Sequence, residues 1–344
     1  MTTEAAAGDI RADLRAVITG SGLSLLGDWL GPEQVKRDVL AVLYAGRHLL
    51  LEGPVGSGKT LLASAIARAL PAIRLAGCDF GCLPGEQACP QCAHRAALGE
   101  PLSERVVGGF DRLVRVQGSP DLLPEDLVGD LDPAAALRFG ALDVRALRPG
   151  RLLRAHRRIL FLDEVNRMSE RLQNLLLELL EERAMTVGGY DTRFGVDTVV
   201  VATMNPAEYV GVERLSEALA DRFERVRLEY PTPADEVRIL RSRVDLTMPH
   251  LDPAPAEVAQ SVVEFANGLR ADAEVRTPPS VRASLAAYEL AVTVHALSPA
   301  EGWPAAVRSA VRLAFRGRIA LAHTSPDVGR PDAWLDARLG AGRA

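Results

Sequence analysis

The segment 53–60 has the residue types and spacing of a phosphate-binding loop. It reads Gly-Pro-Val-Gly-Ser-Gly-Lys-Thr, between the apolar run 49–51 and a segment with helical spacing. Glycines let backbone N–H groups turn toward an oxyanion, and the N-terminus of the following helix favours negative charge. The pattern in this setting predicts binding of a nucleoside triphosphate rather than a glycine-rich turn that arises by chance.

Two side chains of this loop have predicted roles of their own. We expect Lys59 to reach the β- and γ-phosphates and the Thr60 hydroxyl to hold Mg²⁺. The residues expected to bind the nucleotide are Gly53, Pro54, Val55, Gly56, Ser57, Gly58, Lys59, Thr60, Leu61 and Asp163.

Two acidic residues follow a fully apolar strand, 159–162. Such a strand places Asp163 and Glu164 at the carboxyl edge of a parallel sheet, where ligands of open α/β sheets bind. We expect Asp163 to hold Mg²⁺ and Glu164 to orient and deprotonate the attacking water. Alternatively, the two acids only cap the next helix; the preceding phosphate loop favours the hydrolytic interpretation.

Asn205 and Arg222 extend the predicted catalytic set. Asn205 follows the strand 198–203, and we expect it beside the γ-phosphate, where it holds the water together with Glu164. The alternative is an Asn that only ends the strand. Arg222 is a candidate arginine finger for the site of a neighbouring subunit, and otherwise a surface charge.

A second arginine in the C-terminal half is a candidate sensor of hydrolysis. Arg282 lies near the start of a predicted helix, after Pro278-Pro279-Ser280. We expect it to reach the γ-phosphate of its own subunit, and Arg276 is the rival for this role.

The four cysteines of the sequence lie close together along the chain. They are Cys78, Cys82, Cys89 and Cys92, with the spacing C-x3-C-x6-C-x2-C. Four thiolates with turn residues between them favour a tetrahedral structural Zn²⁺ site, with His94 as a substitute ligand. The alternative is a set of free or redox-active thiols in a disordered loop.

Periodicity predicts an α/β region followed by helices. The N-terminal helices are expected over 10–18 and from 31–34 onward, and the strands over 47–51, 112–116, 159–162, 198–203 and 226–229. Residues 71–112 are expected to be irregular, 130–150 to form a hairpin or short helix, and Gly188-Gly189 to turn a further hairpin. Later helices are expected over 234–244, 254–269, 279–296 and 304–322, with a loose tail from 325.

Composition narrows the functional classes. The chain has 344 residues, 25% of them charged and 48% hydrophobic, with a formal net charge of −5. The acidic balance argues against general nucleic-acid binding, and the apolar runs are too short to cross a membrane. Residues 1–7 lack the features of a secretion signal, so we expect a cytoplasmic protein without structural disulfides.

The order of these motifs resembles that of the AAA+ ATPases, in the branch of the MoxR proteins and magnesium chelatase I subunits. The resemblance covers roughly residues 25–322 and is carried by GPVGSGKT, ILFLDEVNR, VVVATMNPAE and LSEALADRFE. It implies a P-loop AAA+ parallel sheet flanked by helices, with a helix-2 insertion within 112–155, a hairpin at 184–197 and an all-α lid. The implied domains are an N-terminal helix (1–24), the nucleotide-binding domain (25–231) with a Cys-rich insert (about 76–95), the lid (232–324) and a tail (325–344).

The same resemblance implies an assembly and partners. Because Arg222 would serve a neighbouring protomer, it implies a homo-oligomeric ring, commonly a hexamer. It also implies a separate partner with a von Willebrand A domain and an unknown protein client. The cysteine insert departs from ordinary MoxR proteins, whereas chelatase I subunits also carry cysteines there; residues 205–231 look more like MoxR.

Three functions are consistent with these features. The first is an ATP-hydrolysing MoxR-like ring that remodels or activates a client. The second is the ATPase motor subunit of a chelatase-like metal insertion complex. The third is a non-hydrolysing, nucleotide-gated scaffold, against which Glu164 argues, because a scaffold does not need a base. DNA translocation is disfavoured by the acidic balance.

Overall fold

The computed structural model describes residues 8–100, 103–205, 215–251 and 253–341. The chain divides into two compact units. The first comprises Met1–Gly53 and Gly58–Leu228, and the second comprises Pro54–Ser57 and Glu229–Ala344. The first holds a parallel sheet flanked by helices and the second is mostly helical, so the predicted fold class is confirmed.

A five-stranded parallel sheet forms the centre of the first unit. Its strands are β1 (His48–Glu52), β2 (Leu113–Gln117), β3 (Arg158–Asp163), β4 (Thr198–Met204) and β5 (Phe223–Arg227). Their spatial order is β5-β1-β4-β3-β2. The strand predicted at 226–229 begins earlier, because the parallel register pairs Phe223 with His48 and Arg227 with Glu52.

Alternate residues of the central strands face two separate hydrophobic cores. Leu50, Leu160 and Val200 face one core, whereas Leu49, Ile159 and Val199 face the other. Burial of both faces explains why β3 and β4 have no polar alternation. The sheet therefore fixes the positions of the residues at its carboxyl edge.

Helices cover the sheet. The longer helices of this unit are Ile10–Ser21, Glu33–Tyr44, Lys59–Ala69 and Glu170–Glu182. The shorter ones are Pro90–Ala97, Pro124–Val128, Pro133–Phe139, Arg151–Arg154 and Glu217–Ala220. Single 3-10 turns occupy Gly22–Leu26, Gly109–Arg112, Val144–Ala146, Val165–Arg167 and Gly188–Tyr190.

Three small antiparallel pairs accompany the main sheet. They are Ile73–Ala76 with Glu104–Val107, Gly129–Leu131 with Leu147–Pro149, and Ala184–Val187 with Thr192–Gly195. The expectation that 71–112 is irregular is wrong, because Ile73, Leu75 and Val107 form a small core of their own. The region 130–150 contains both predicted alternatives, a strand pair and a short helix, and the hairpin at Gly188-Gly189 is confirmed.

The second unit is a helical bundle with one small strand pair. Its helices are Pro233–Thr247, Ala256–Ala271, Val281–Leu297, Gly302–Phe315 and Pro331–Ala341, with a 3-10 turn at Pro299–Glu301. The helix predicted over 304–322 ends at Phe315, because Ala320–Leu321 pairs with Val275–Thr277. No helix in the described part of the chain is both long and apolar enough for a membrane span.

The described part of the tail, residues 325–341, contains a packed helix, so the prediction of a loose tail from 325 is wrong for these residues. The helix Pro331–Ala341 buries Trp334, Leu335 and Leu339 in the core of the second unit. The Trp334 indole N–H also donates to the Glu274 carboxylate over 2.7 Å. Tertiary burial therefore holds a helix that its short apolar pattern alone does not predict.

Candidate functional site

The loop between β1 and the helix Lys59–Ala69 has the backbone of a phosphate cradle. Gly56 and Gly58 adopt φ values of 86° and 88°, a left-handed conformation that side chains disfavour. A Cβ atom on Gly58 would also lie 2.7 Å from the Trp29 indole nitrogen. The Ser57 hydroxyl is buried and has no hydrogen-bond partner among the described residues. The left-handed glycines and the orphaned Ser57 hydroxyl fit a bound anion.

Lys59 connects this loop with the end of β4. Its side chain is 8% exposed, and its Nζ donates to the Gly53 carbonyl over 2.7 Å. The same Nζ donates to the Asn205 side-chain oxygen over 3.0 Å. The structure therefore brings together two residues that the sequence placed 146 positions apart.

Thr203 connects the two acidic residues at the end of β3. Its hydroxyl donates to the Asp163 carboxylate over 2.7 Å and accepts the Glu164 amide N–H over 2.9 Å. Glu164 itself has φ 57° and ψ 52°, an uncommon left-handed conformation for a residue with a side chain. Local strain at this position fixes the direction of the Glu164 side chain.

The Glu164 carboxylate accepts hydrogen bonds from three side chains. The Asn205 amide donates over 3.1 Å, the Gln117 amide over 3.2 Å and the Arg167 guanidinium over 3.0 Å. We call Lys59, Asp163, Glu164, Thr203 and Asn205 the strand-end cluster. It joins a cation, two carboxylates, a hydroxyl and an amide by direct hydrogen bonds, and Lys59 belongs both to it and to the phosphate-loop motif.

Other predicted loop residues occupy less enclosed positions. Thr60 is the second residue of its helix and is half-buried, as are Pro54 and Val55. The Leu61 side chain is 43% exposed, so only its backbone could serve a phosphate. The Thr60 hydroxyl and the Asp163 carboxylate are oxygen donors of the type that Mg²⁺ prefers.

Sequence analysis missed Thr203, Arg115 and Gln117. Arg115 contacts the Asp163 carboxylate over 2.6 Å, and Gln117 pairs in register with Asp163. The sequence contains a sign of their position, because residues two apart on a strand lie on the same face. Thr203 lies two residues before Asn205, and Arg115 lies two before Gln117, on the strands that flank β3. Only the strand order reveals that these residues are neighbours.

Arg222 lies apart from the strand-end cluster. Its guanidinium pairs with Glu181 of the helix Glu170–Glu182 and donates to the Ala218 carbonyl. The ion pairs and hydrogen bonds of Asp163 and Glu164 among the described residues do not include Arg222. From the sequence, Glu181 is expected only on a solvated helix face; its pairing with Arg222 depends on tertiary packing.

The two rival arginines belong to the second unit. Arg276 is exposed and contacts the His323 ring over 3.0 Å. Arg282 is exposed at the second position of the helix Val281–Leu297, which Ser280 caps. A Cβ atom on Gly56, which groups with this unit, would lie 3.5 Å from the Arg282 amide nitrogen. The Arg282 backbone therefore lies close to Gly56.

The four cysteines converge into one buried group, which we call the cysteine cluster. Their sulfur atoms all lie within 4.8 Å of one another, and all four residues are buried. Cys89 begins the helix Pro90–Ala97, and its sulfur accepts the Cys92 amide N–H over 3.3 Å. His94 lies outside this group of ligands, and its Nε2 is buried without a partner among the described residues.

Without a metal ion, the cysteine cluster limits how many of its thiols ionise. Hydrogen bonds from Cys82 and Cys89 hold the pKa of the Cys78 thiol well below its usual range. Burial, followed by the charge of Cys78, raises the pKa of Cys92 to about 12. The thiol hydrogen bond to Cys78 raises the pKa of Cys89 to about 12. A divalent cation would supply the positive charge that allows all four thiols to ionise.

Two family models match consecutive parts of the chain. Residues 26–77 match "Magnesium chelatase, subunit ChlI", and residues 95–225 match "ATPase family associated with various cellular activities (AAA)". The matched ranges contain the phosphate loop, Asp163, Glu164 and Asn205. The fold and these matches make the chain similar to the P-loop ATPases of the AAA+ type.

Curated relatives specify the branch. The chain is 32% identical to the uncharacterized protein YeaC of Bacillus subtilis, over 60% of this chain and 51% of that protein. It is 34% identical to the magnesium-chelatase 38 kDa subunit of Acidiphilium rubrum (57% and 55%) and 30% identical to the chaperone MoxR1 of Mycobacterium tuberculosis (64% and 46%). Each match spans about half the length of the relative. The predicted resemblance is confirmed: the matched region is similar to MoxR proteins and magnesium chelatase I subunits.

Proposed function

We propose that this protein hydrolyses ATP to ADP and phosphate and uses the reaction to remodel or activate a protein client. The observation that carries the proposal is the Glu164 carboxylate, which accepts the Asn205 amide 3.1 Å away, while Asn205 also accepts from Lys59. A base, a water-positioning amide and a phosphate-binding cation are thus linked in one network. A nucleotide-gated scaffold has no use for such a base.

The chain's own residues divide the work of the reaction. The backbone of 53–58 and Lys59 bind the phosphates, and Thr60 and Asp163 would hold Mg²⁺, which would offset phosphate charge. Asn205 and Glu164 position a water molecule, and Glu164 accepts its proton as the water oxygen bonds to the γ-phosphorus. The bond from this phosphorus to the bridging oxygen of ADP breaks. Thr203 keeps both carboxylates in place through its two hydrogen bonds.

We propose that Arg222 completes the site of a neighbouring protomer in a ring, commonly a hexamer. Its contacts support this assignment, because they are with Glu181 and the Ala218 carbonyl and not with Asp163 or Glu164 of its own chain. A guanidinium from the neighbour would stabilise charge that develops in the transition state. Arg282, at the start of its helix, would report hydrolysis to the second unit.

A chelatase-like role is the second candidate. It is favoured by the match of residues 26–77 to the chelatase model and by the 34% identity to a magnesium-chelatase subunit. In this role the same ATPase would drive metal insertion through a partner complex. The MoxR-like role instead includes a separate von Willebrand A partner. Co-purification from the native host distinguishes them: tetrapyrrole-binding partners support the first, and a von Willebrand A protein with a protein client supports the second.

We further propose that the cysteine cluster binds one structural Zn²⁺. Zinc–sulfur bonds of about 2.3 Å place tetrahedral thiolates about 3.8 Å apart. The 4.8 Å limit on the sulfur separations here agrees with a single ion. A multi-iron cluster spreads its cysteines over several metal atoms and needs a wider arrangement. Metal analysis should find about one zinc per chain, and much less than about a tenth would refute the site.

Substitution of Glu164 tests the proposed hydrolysis. Glu164→Gln keeps the shape and the hydrogen bond to Asn205 but removes the base. We expect ATP binding to persist and phosphate release to fall by at least about 100-fold. Equal phosphate release by the variant and the native protein would refute Glu164 as the base, whereas no phosphate release by the native protein would leave the non-hydrolysing scaffold as the alternative.

A further inference from the structure

The cysteine cluster lies within a module, residues 78–97, that contacts three other parts of the first unit. We propose that metal-loaded residues 78–97, called here the cysteine module, are a brace. The module holds the strand pair 129–149 and the hairpin 184–195 against the beginning of β3. This inference rests on the zinc site proposed above. It gives the bound metal a further role, which is to fix the positions of the strand pair and the hairpin.

The first contact reaches the short helix inserted between residues 129 and 149. The His94 ring meets the Phe139 ring edge to face, with centroids 5.0 Å apart. The Arg145 guanidinium lies 4.3 Å from the same Phe139 ring and 3.4 Å from His94 Nδ1. Asp143 fixes Arg145 through an ion pair of 2.7 Å. The insertion therefore contacts the helix Pro90–Ala97 through the His94 side chain.

The second contact reaches the hairpin. The Phe80 ring, between the first two cysteines, packs on Phe194 with centroids 5.2 Å apart. The two rings are 5% and 7% exposed. An aromatic pair of this kind adds a directional contact to the apolar area it buries. The hairpin is therefore held from the opposite end of the module to the insertion.

The third contact reaches the residue that precedes β3. Arg157 donates to the Gly81 carbonyl over 3.0 Å and pairs with Glu86 over 2.8 Å. Its backbone N–H donates to the Asp197 carbonyl over 2.6 Å, just before β4. Arg157 thus attaches the module to the starts of both strands whose other ends carry Asp163, Glu164 and Asn205.

The metal is the component that makes this module rigid. The helix Pro90–Ala97 has eight residues, too few to be stable in isolation. Its N-terminus is Cys89, and Cys92 lies on its first turn, so an ion bound to both would fix that end of the helix. Removal of the ion should leave four buried thiols, free the helix and weaken the His94–Phe139 contact. Phe80, which follows Cys78, should lose its fixed position as well.

Hydrogen–deuterium exchange on the full chain tests the brace. We expect removal of zinc with a chelator to speed amide exchange by at least about tenfold in peptides from 133–139 and 184–195. Peptides from β1 and from the helix Ala256–Ala271 serve as internal references and should keep their rates. Unchanged exchange in both inserted elements, or an equal rise in the references, would overturn the brace.

A pair of substitutions tests the same idea with zinc still bound. His94→Ala leaves all four cysteines, so zinc content should stay at about one per chain. Exchange at 133–139 should rise by about tenfold, and exchange at 184–195 should not change. Arg95→Ala, on the next residue of the helix, is the control and should change neither. Native exchange at 133–139 in zinc-loaded His94→Ala contradicts the brace without touching the zinc site, whereas absent zinc in the native protein refutes the zinc site.

Discussion

The strand-end cluster and the cysteine cluster lie in the same unit, yet they neutralise buried polar groups differently. In the first, every charged group has a protein partner: Lys59 faces Asn205, Asp163 faces Thr203, and Glu164 faces Asn205. In the second, the four sulfurs lie within 4.8 Å of one another in a hydrophobic core. A network satisfied by its own side chains can hold its geometry before a ligand binds, whereas clustered thiols need a cation.

This difference has a physical origin in the fold. The strand-end cluster lies on the edge of a five-stranded parallel sheet whose central strands are buried on both faces. The cysteine cluster lies between short elements, one antiparallel pair and one eight-residue helix. Rigid strands position polar groups without help, but short elements require an added crosslink.

The largest expected effect is the loss of nucleotide binding in Lys59→Ala. This change removes the buried cation that links the phosphate loop to Asn205. We expect ATP binding, measured by calorimetry, to weaken by at least about 100-fold, while zinc content stays native. Lys36→Ala removes the only other lysine of the sequence, from the helix Glu33–Tyr44, and serves as the control.

A combined loss of ATP binding and zinc in Lys59→Ala would contradict the independence of the two clusters. An equal loss of ATP binding in Lys36→Ala would show that the weaker binding of Lys59→Ala does not depend on the position of Lys59 in the phosphate loop.

A smaller effect is expected for Thr203→Val. Valine has the same shape but leaves the Asp163 carboxylate and the Glu164 amide without their buried partner, at a cost of about 1–3 kcal/mol. We expect kcat to fall by about tenfold, because both carboxylates lose a fixed position. Thr198→Val, at the other end of β4, removes a buried hydroxyl that donates to the Arg158 carbonyl and should lower stability without lowering kcat. Equal kcat losses in the two variants would contradict a positioning role for Thr203.

The smallest expected effect concerns acid stability of the sheet. Burial, with nearby Arg11, lowers the pKa of His48 to about 3, and its Nδ1 accepts the Val200 amide over 3.0 Å. An unfolded chain binds this proton near pH 6.5, about the usual histidine value, so folding stability should fall as pH drops below about 6.5.

The test compares the Tm of thermal unfolding at pH 7 with the Tm at pH 5, about two pH units lower. His48→Asn, with a side chain that does not titrate, should reduce the slope of Tm against pH. His250→Asn, at an exposed histidine, should leave the slope unchanged. An unaltered slope in His48→Asn would show that the buried ring does not control acid stability.

Much of the nucleotide site could be predicted from sequence because its residues occur in short contiguous motifs. Lys59, Asp163 and Asn205 each follow an apolar strand, and parallel strands end at a common edge. Strand order is not contained in any one motif. For this reason Arg115, Gln117 and Thr203 became visible only when the register paired Gln117 with Asp163.

The less predictable elements depend on distant burial. The helix Pro331–Ala341 and the strand pair 73–76 with 104–107 have short apolar patterns, and each is stabilised by residues far away in sequence. The sequence predicted that the four cysteines converge, as one of two interpretations and with zinc as the ligand. It did not predict the contact of His94 with Phe139. That contact joins two segments whose proximity is set by tertiary packing.

The central claim is that one protomer supplies the acids and the next supplies a guanidinium, and a mixing experiment tests it most directly. Glu164→Gln protein keeps Arg222, and Arg222→Ala protein keeps Glu164. Each alone should release phosphate at least about 100-fold more slowly than the native protein. In an equal mixture about one quarter of the subunit interfaces should be complete, so phosphate release should recover to a comparable fraction of the native rate. A mixture no faster than the two variants measured separately, or native turnover by Arg222→Ala alone, would contradict the shared site.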